Sequence, residues 1–414
     1  MVSKAQMKFV HVIQRYWPAQ LSGSERAMAL LCQALADTQS NKIKVVTSNV
    51  GPGEGFYDPR TERISPDHEV LNGVSVIRLP VAWWADSFCY VLDKLGWLTS
   101  PLLRIKAFGP HLIGLERVLR QEQPDLVHVA PMPMAHVWQT VNSCNRLNLP
   151  LVITPTMHFD DPRFDNVAIY DLLKKADGVI AHTKFEKIQL VERAVDSQKI
   201  AVIASSFLTN QDFMLGDSEK LRKKYRLGSG PIVLFLGSKS FDKGTVHLLA
   251  SWPTVQAAVP DSQLIIAGSP TSSWQSKKLS VDLPNLTELD YIDERTKAEL
   301  LSVTDLVCVP SRSESFGMIV LESWAKGKPV IGGSAGATRE LIDEGKNGYT
   351  VDFGDLPDLQ SKLITLLQNQ DKRRQLGQSG LLKAKTFTAA EIVGQTLKLY
   401  QDAINSHQKK RPTV

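Results

Sequence analysis

Apolar runs a few residues long recur along the chain, and stretches with helical spacing separate them. "KFVHVIQ" is followed by the turn-rich "RYWPAQLSGSE", a helical pattern over 26–36 and a second run, "KIKVVTSN". Strand, loop, helix and strand in that order predict a parallel sheet. "PDLVHVA", "PLVITP", "ADGVIAHT" and "KIAVIASS" continue the series. From Leu208 the rhythm breaks: "LTNQDFMLGDSEKLRKKYRLGSGP" is polar, charged and rich in glycine, and reads as a linker with a short helix. The pattern then restarts. "PIVLFLGS", "QLIIAGS", "DLVCVPS" and "KPVIGGS" read as strands, "GTVHLLASWPTV" and "ERTKAELLSVT" as helices. A last helix is expected over 389–405, with Ile392, Val393, Leu397, Leu399 and Tyr400 apolar, before a polar tail, "SHQKKRPTV", expected to fray.

The predicted fold is α/β, with two doubly wound Rossmann-like domains. Residues 1–208 form the first, 209–388 the second, and 389–414 a C-terminal helix and tail expected to return to the first. Ligands of such sheets bind outside the carboxyl ends of the strands, so two sheets facing across a cleft would place the site in that cleft.

Composition refines this picture only modestly. A chain of 414 residues is too long for one compact core. A hydrophobic content of 43% and a charged content of 22% are ordinary for a globular enzyme. The net charge of +5 suits an anionic ligand or membrane surface, but no basic run interleaved with aromatics argues for nucleic acid. Cys32, Cys89, Cys144 and Cys308 match no metal spacing and no disulfide framework, and are expected as buried thiols. The N-terminal stretch lacks a signal-peptide core, and no run approaches the roughly 18 apolar residues of a membrane span. The expected compartment is therefore the cytoplasm.

The most informative stretch is "SRSESFGMIVLESWAKGKPVIGGSAGATRELI", residues 311–342. Glu314 and Glu322 stand with seven residues between them, most of them apolar. Together with "GKPVI" and "RELIDEGKNGYTV" this resembles the signature of the GT-B glycosyltransferases of glycosyltransferase family 4, and the resemblance covers nearly the whole chain. "GSKSFDKGT", "SGSE" and "TPTMH" are weaker echoes. The resemblance implies a retaining, metal-independent enzyme with no cofactor. It would move a sugar from a nucleotide-diphosphate sugar, uridine favoured and guanosine next, to a glycan, lipid-linked or small-molecule acceptor.

Physical reasoning on the same residues agrees. Phe316 and Gly317 are expected to open a helix, whose free N–H groups and positive dipole end suit a phosphate. Lys243, in the loop ahead of the earlier "TVHLLASW" helix, adds a mobile cation. Together they would neutralise a departing diphosphate. By the resemblance, Glu314 accepts from hydroxyls of the donor sugar and Glu322 from both ribose hydroxyls, a task for which two acceptor oxygens suit a carboxylate. His158 is assigned to the sugar near the reacting carbon. The implied catalytic set is His158, Lys243 and Glu314. The implied donor site adds Gly23, Gly237, Ser238, Tyr291, Ile292, Ser315, Phe316, Gly317, Met318, Ile319 and Glu322. The chain departs from the family pattern in having one glycine at Gly23 rather than two, and Ser238 where arginine is usual. Lys239 is expected to point away from Ser238, since neighbours in extended backbone face opposite sides.

Other readings are weaker on the same residues. "GGSAG", 332–336, matches a hydrolase nucleophile elbow, but only His407 follows it. Neither half opens on the glycine fingerprint of a dinucleotide-dependent oxidoreductase. Asp160 and Asp161 are adjacent carboxylates without further ligands, and no metal site is expected. A sugar phosphorylase, a nucleotide-sugar epimerase and a non-catalytic nucleotide-sugar-binding protein share the expected fold. Residues 81–109 carry Trp83, Trp84, Phe88, Tyr90, Trp97 and Leu98 with few charges. They read as a helical insertion packed on the first domain, an acceptor platform or a surface for peripheral membrane contact.

Overall fold

The computed structural model describes residues 6–19, 21–51, 56, 58–95, 100–214, 216–271, 274, 283 and 285–410. The chain divides into two compact units, Met1–Ser206 with Ala389–Val414, and Phe207–Thr388.

The first unit is built on strands β1 (Met7–Val12), β2 (Asn41–Ser48), β3 (His68–Leu71), β4 (Val74–Leu79), β5 (Leu126–Val129), β6 (Leu151–Ile153), β7 (Gly178–Ala181) and β8 (Ile200–Val202). Their order across the sheet is β3-β4-β2-β1-β5-β6-β7-β8. All pairings are parallel except β3 with β4. Strands buried on both faces need continuous apolar runs, and β5 and β7 are buried at every position. The β3–β4 hairpin was not foreseen. It turns at Asn72 and Gly73, both with left-handed φ, of 49° and 78°.

The second unit holds β9 (Ile232–Leu236), β10 (Gln263–Ala267), β11 (Leu286–Leu289), β12 (Leu306–Val309), β13 (Val330–Gly333) and β14 (Gly348–Val351). The order is β11-β10-β9-β12-β13-β14, all parallel. Each unit is thus a doubly wound α/β sheet, as the alternation of patterns predicts. In the second, β9 lies between β10 and β12, so the strand order reverses there. The loops leaving the carboxyl ends of β9 and β12 flank that switch point, where doubly wound sheets take their ligands.

The C-terminal helix runs over Ala389–Lys409, four residues beyond the expected end. It belongs to the first unit. Tyr400 is buried, its ring 5.0 Å from Phe9, and its hydroxyl lies 3.0 Å from His11 Nε2 and 2.6 Å from His128 Nδ1. His128 Nε2 is 2.7 Å from Thr154 Oγ1, so the network ends on the segment that follows β6. Near its end, His407 Nδ1 is 2.9 Å and Lys410 Nζ 2.7 Å from the buried carboxylate of Asp177. These contacts correct the expectation of fraying for the part of the tail that is described. Residues 411–414 lie outside the described residues.

Residues 81–109 include the helices Trp83–Lys94 and Pro101–Ala107. On the first, Trp84, Phe88, Val91 and Leu95 follow one another at i, i+4, i+7 and i+11, and each is more than half exposed. Asp86 of the same helix is buried instead, its Oδ1 2.5 Å from His111 Nδ1. Trp97 and Leu98 lie outside the described residues. Among the described residues, no helix is long and apolar enough to cross a membrane.

Candidate functional site

β9 leads through Gly237 and the exposed Ser238 into the loop that carries Lys243. Lys239 turns the other way. It is 3% exposed, and its Nζ bonds Leu289 O at 3.1 Å and Asp290 Oδ1 at 3.0 Å. The alternation expected of extended backbone is therefore what the loop adopts, and the Lys239 charge is spent at the end of β11. Lys243 precedes Gly244, the N-cap of the helix Thr245–Ala258. Gly244 has φ 73°, and a Cβ there would stand 2.2 Å from Pro310 O. Only glycine permits this approach of the β9 loop to the β12 loop.

The two loops are further joined by Arg312 N–H donating to Asp242 O at 2.8 Å. The result is direct contact between the two main candidates. Lys243 Nζ lies 2.7 Å from Glu314 Oε1, and Ser311 Oγ donates to the same oxygen at 2.8 Å. The backbone of Glu314 is fixed from the other side, where Ala337 N–H donates to its carbonyl at 3.1 Å. Ala337 follows the "GGSAG" segment, and there Ser334 Oγ bonds Asp352 Oδ1. Ser334 therefore contacts a carboxylate, and His407 belongs to the other unit, where it contacts Asp177. The hydrolase reading finds no triad here.

The helix expected at Phe316 begins at Met318 and runs to Ala325. Gly317 is its N-cap, with a left-handed φ of 96°. Phe316 is buried, its ring 6.1 Å from Phe387, so its part in binding a ligand would have to come through its backbone. Ser315, Met318 and Ile319 flank this first turn, within a few residues of Glu314.

Glu322, two turns on, is 7% exposed. Its Oε1 accepts from Lys297 Nζ at 2.8 Å. The sequence reading missed Lys297, which lies in the helix Glu294–Val303. Lys326 adds a second positive charge near Glu322; burial holds its pKa below the usual lysine value. Tyr291 and Ile292 lie between β11 and the Asp293 cap of the Lys297 helix, and Tyr291 is half exposed. The second unit therefore brings Gly237, Ser238, Lys243, Glu314, Gly317 and Glu322 to the loops and helix at one end of its sheet.

Gly23 and His158 belong to the first unit. Gly23 is the exposed first residue of the helix Gly23–Asp37, after the Ser22 cap, whose N–H donates to Glu25 Oε2 at 2.5 Å. His158 is half-buried, its ring 5.0 Å from Phe164 in an edge-on arrangement. Its loop is held by buried Glu186, which accepts from Met157 N–H at 2.9 Å and from His182 N–H at 2.7 Å. Asp161 is paired with Arg163; burial pushes its carboxyl up, but the side-chain and backbone hydrogen bonds and the charge of that arginine together outweigh it and hold the carboxyl below the usual range. Among the described residues no group of three or more histidine, cysteine or acidic side chains is placed to hold a metal ion.

Comparison with known proteins adds to this geometry. Residues 217–382 match a family profile described as glycosyl transferases group 1, and residues 22–205 match a glycosyl transferase 4-like domain. A D-inositol 3-phosphate glycosyltransferase of Corynebacterium kroppenstedtii is 26% identical over 258 residues, 59% of this chain and 57% of that protein. An N-acetyl-alpha-D-glucosaminyl L-malate synthase of Bacillus anthracis is 22% identical over 300 residues, 70% of this chain and 78% of that protein. The chain spans about three fifths of the length of the inositol-phosphate enzymes it matches first. Among solved structures, a sucrose-phosphate synthase from Thermosynechococcus elongatus superposes with a TM-score of 0.75 at 20% identity, covering 97% of this chain and 100% of that one. Anabaena HepE in complex with UDP and glucose gives 0.71 at 16% identity, with 95% and 99% covered.

Proposed function

We propose that this chain, a GT-B glycosyltransferase related to the group 1 and 4-like families, transfers a sugar from a nucleotide-diphosphate sugar to an acceptor with retention of configuration. The observation that carries this reading is the Lys243–Glu314 contact at the switch point of the second unit, one helix start away from Gly317. A cation and a helix N-terminus suit a diphosphate, and a carboxylate beside them suits sugar hydroxyls. UDP is the favoured nucleotide, since a related fold is known with UDP and glucose bound.

Inverting transfer needs a general base on the far side of the sugar, and double displacement needs a carboxylate beneath the anomeric carbon. In this reading Glu314 faces ring hydroxyls, which leaves front-face substitution. The bond from the anomeric carbon to the leaving phosphate oxygen breaks with its electron pair going to that oxygen. The acceptor oxygen bonds to the same face of the carbon, and its proton passes to the departing phosphate. Lys243 and the helix at Gly317 stabilise the charge that develops on the diphosphate. By the family resemblance His158 of the first unit is assigned to the sugar, Gly23 and Ser238 to the donor, and Tyr291 and Ile292 to the base of its nucleotide. No step draws on a metal ion.

The acceptor is proposed to be a carbohydrate or lipid-linked molecule. The exposed stripe Trp84, Phe88, Val91 and Leu95 supports contact with a membrane surface, as does exposed Arg104 on the next helix. Co-sedimentation with phosphatidylglycerol vesicles should exceed that with phosphatidylcholine vesicles and fall in the Trp84→Ser, Phe88→Ser double variant. Equal recovery without vesicles removes this part.

A thermal-shift panel of nucleoside diphosphates tests the core of the reading. A ligand at a hundred times its Kd stabilises by about 2.7 kcal/mol. UDP or GDP should raise the melting temperature in the presence of chelator. No shift with any nucleoside diphosphate would contradict the assignment.

A further inference from the structure

Glu322 is a nearly buried carboxylate on a largely apolar helix. A carboxylate that is 7% exposed, between Leu321 and Ser323, must be paired or it takes up a proton or leaves the site. Its partner comes from another helix: Lys297 Nζ lies 2.8 Å from Glu322 Oε1. The same nitrogen is 2.8 Å from Glu294 Oε2, in the first turn of the helix that carries Lys297. That helix is capped by Asp293, whose Oδ1 accepts from Thr296 N–H at 2.7 Å. Tyr291 and Ile292, assigned above to the nucleotide base, immediately precede the cap. One ammonium group therefore connects the segment given to the base with the carboxylate given to the ribose.

A nearly buried ion pair is weak evidence for stability, because desolvation offsets much of its attraction. Its value here is geometric. An ammonium on one carboxylate oxygen fixes the rotamer and the charge of the group, and so fixes the direction of its remaining acceptor lone pairs. We propose that Lys297 is a positioning residue of the nucleotide site, which orients the ionised Glu322 carboxylate toward the ribose hydroxyls and ties the Tyr291–Ile292 segment to it. The proposal rests on the reading that Glu322 receives the ribose. In this proposal Lys297 acts on the nucleotide through Glu322, which its ammonium group contacts.

Calorimetry with three probes tests this: UDP, 2′,3′-dideoxy-UDP and inorganic pyrophosphate, with GDP and its dideoxy form run in parallel. Lys297→Met should weaken the ribonucleotide by roughly tenfold or more, the loss of a charged hydrogen-bond arrangement. Binding of the dideoxy nucleotide and of pyrophosphate should stay within about twofold of wild type, well under the tenfold that a lost charged contact brings. Lys297→Arg should restore most of the ribonucleotide affinity. Unchanged ribonucleotide binding in Lys297→Met, or equal weakening of all three probes, would overturn the proposal, the latter marking a purely structural staple. Glu322→Ala separates the two ways of failing. If the preference for UDP over dideoxy-UDP survives in Glu322→Ala, the ribose reading is wrong and the proposal falls with it. If Glu322→Ala abolishes that preference while Lys297→Met keeps it, only the positioning role is wrong.

Discussion

Lys243 Nζ and Glu314 Oε1 are 2.7 Å apart, although one residue is assigned to the diphosphate and the other to the sugar. A bound diphosphate must therefore compete with Glu314 for the lysine. Lys243→Ala should weaken UDP binding by about 1.5–3 kcal/mol, the range for hydrogen bonds to charged groups. Glu314→Ala should behave in the opposite way, tightening UDP by roughly 0.5–1 kcal/mol as a partly exposed ion pair is released. The same Glu314→Ala change should cut turnover at least about a hundredfold, if Glu314 acts on charge that develops in the transition state. Calorimetry and initial rates check both parts, and weaker UDP binding in Glu314→Ala would show that the two groups do not compete.

Gly244 holds the β9 loop against Pro310. Replacing it with alanine would place a Cβ 2.2 Å from a backbone oxygen at φ 73°. The backbone must shift, so Gly244→Ala is expected to cost about 2–4 kcal/mol in urea denaturation, combining left-handed strain with overpacking. UDP affinity should fall in parallel, because Lys243 is the preceding residue. Stability within about 0.5 kcal/mol of wild type, as for an ordinary surface change, would contradict the packing described here.

These loops also show what the sequence could and could not convey. The spacing of Glu314 and Glu322, with Gly317 between them, is a local pattern and was legible. So were the strands buried on both faces, whose apolar runs stand out. The partners were not legible. Lys297 lies 25 residues from Glu322, and Lys243 lies 71 from Glu314, so only the folded sheet brings them together. β11 escaped notice because "LTEL" is half polar at the sheet edge. The β3–β4 hairpin escaped although its Asn72-Gly73 pair is a turn signal. Asp177, far from the C-terminus in sequence, is why the last helix does not fray at Asn405.

The Tyr400 network gives the C-terminal helix a measurable grip on the first unit. Tyr400→Phe would leave His11 Nε2 and His128 Nδ1 without the hydroxyl they share. The buried groups should cost about 1–3 kcal/mol in thermal denaturation. No change in melting temperature would mean that water replaces the hydroxyl.

Acid should destabilise the first unit before it affects ordinary carboxylates. Burial lowers the pKa of His11, His136 and His182 to about 4, and holds that of His128 well below its usual value. The unfolded chain binds protons at these sites from about pH 6.5 downward, and the folded chain does not until about pH 4. The stability they contribute is complete above pH 6.5 and is lost as pH falls toward 4. At pH 5.5 each of the three lowered to about 4 should cost roughly 1 kcal/mol relative to pH 7.5. Calorimetric melting across this window should show a steady fall, and a flat profile from pH 7.5 to 5 would contradict buried neutral histidines.

The central claim, retaining transfer from a nucleotide sugar, is tested most directly without knowing the acceptor. If water takes the acceptor's place in the proposed step, the sugar is released, and the first anomer formed reports the face of attack. Proton NMR of UDP-α-glucose incubated with the chain and chelator, read before mutarotation, should show the α-anomer appearing first. That release should disappear in Glu314→Ala. The β-anomer appearing first would contradict front-face substitution and the retaining assignment with it.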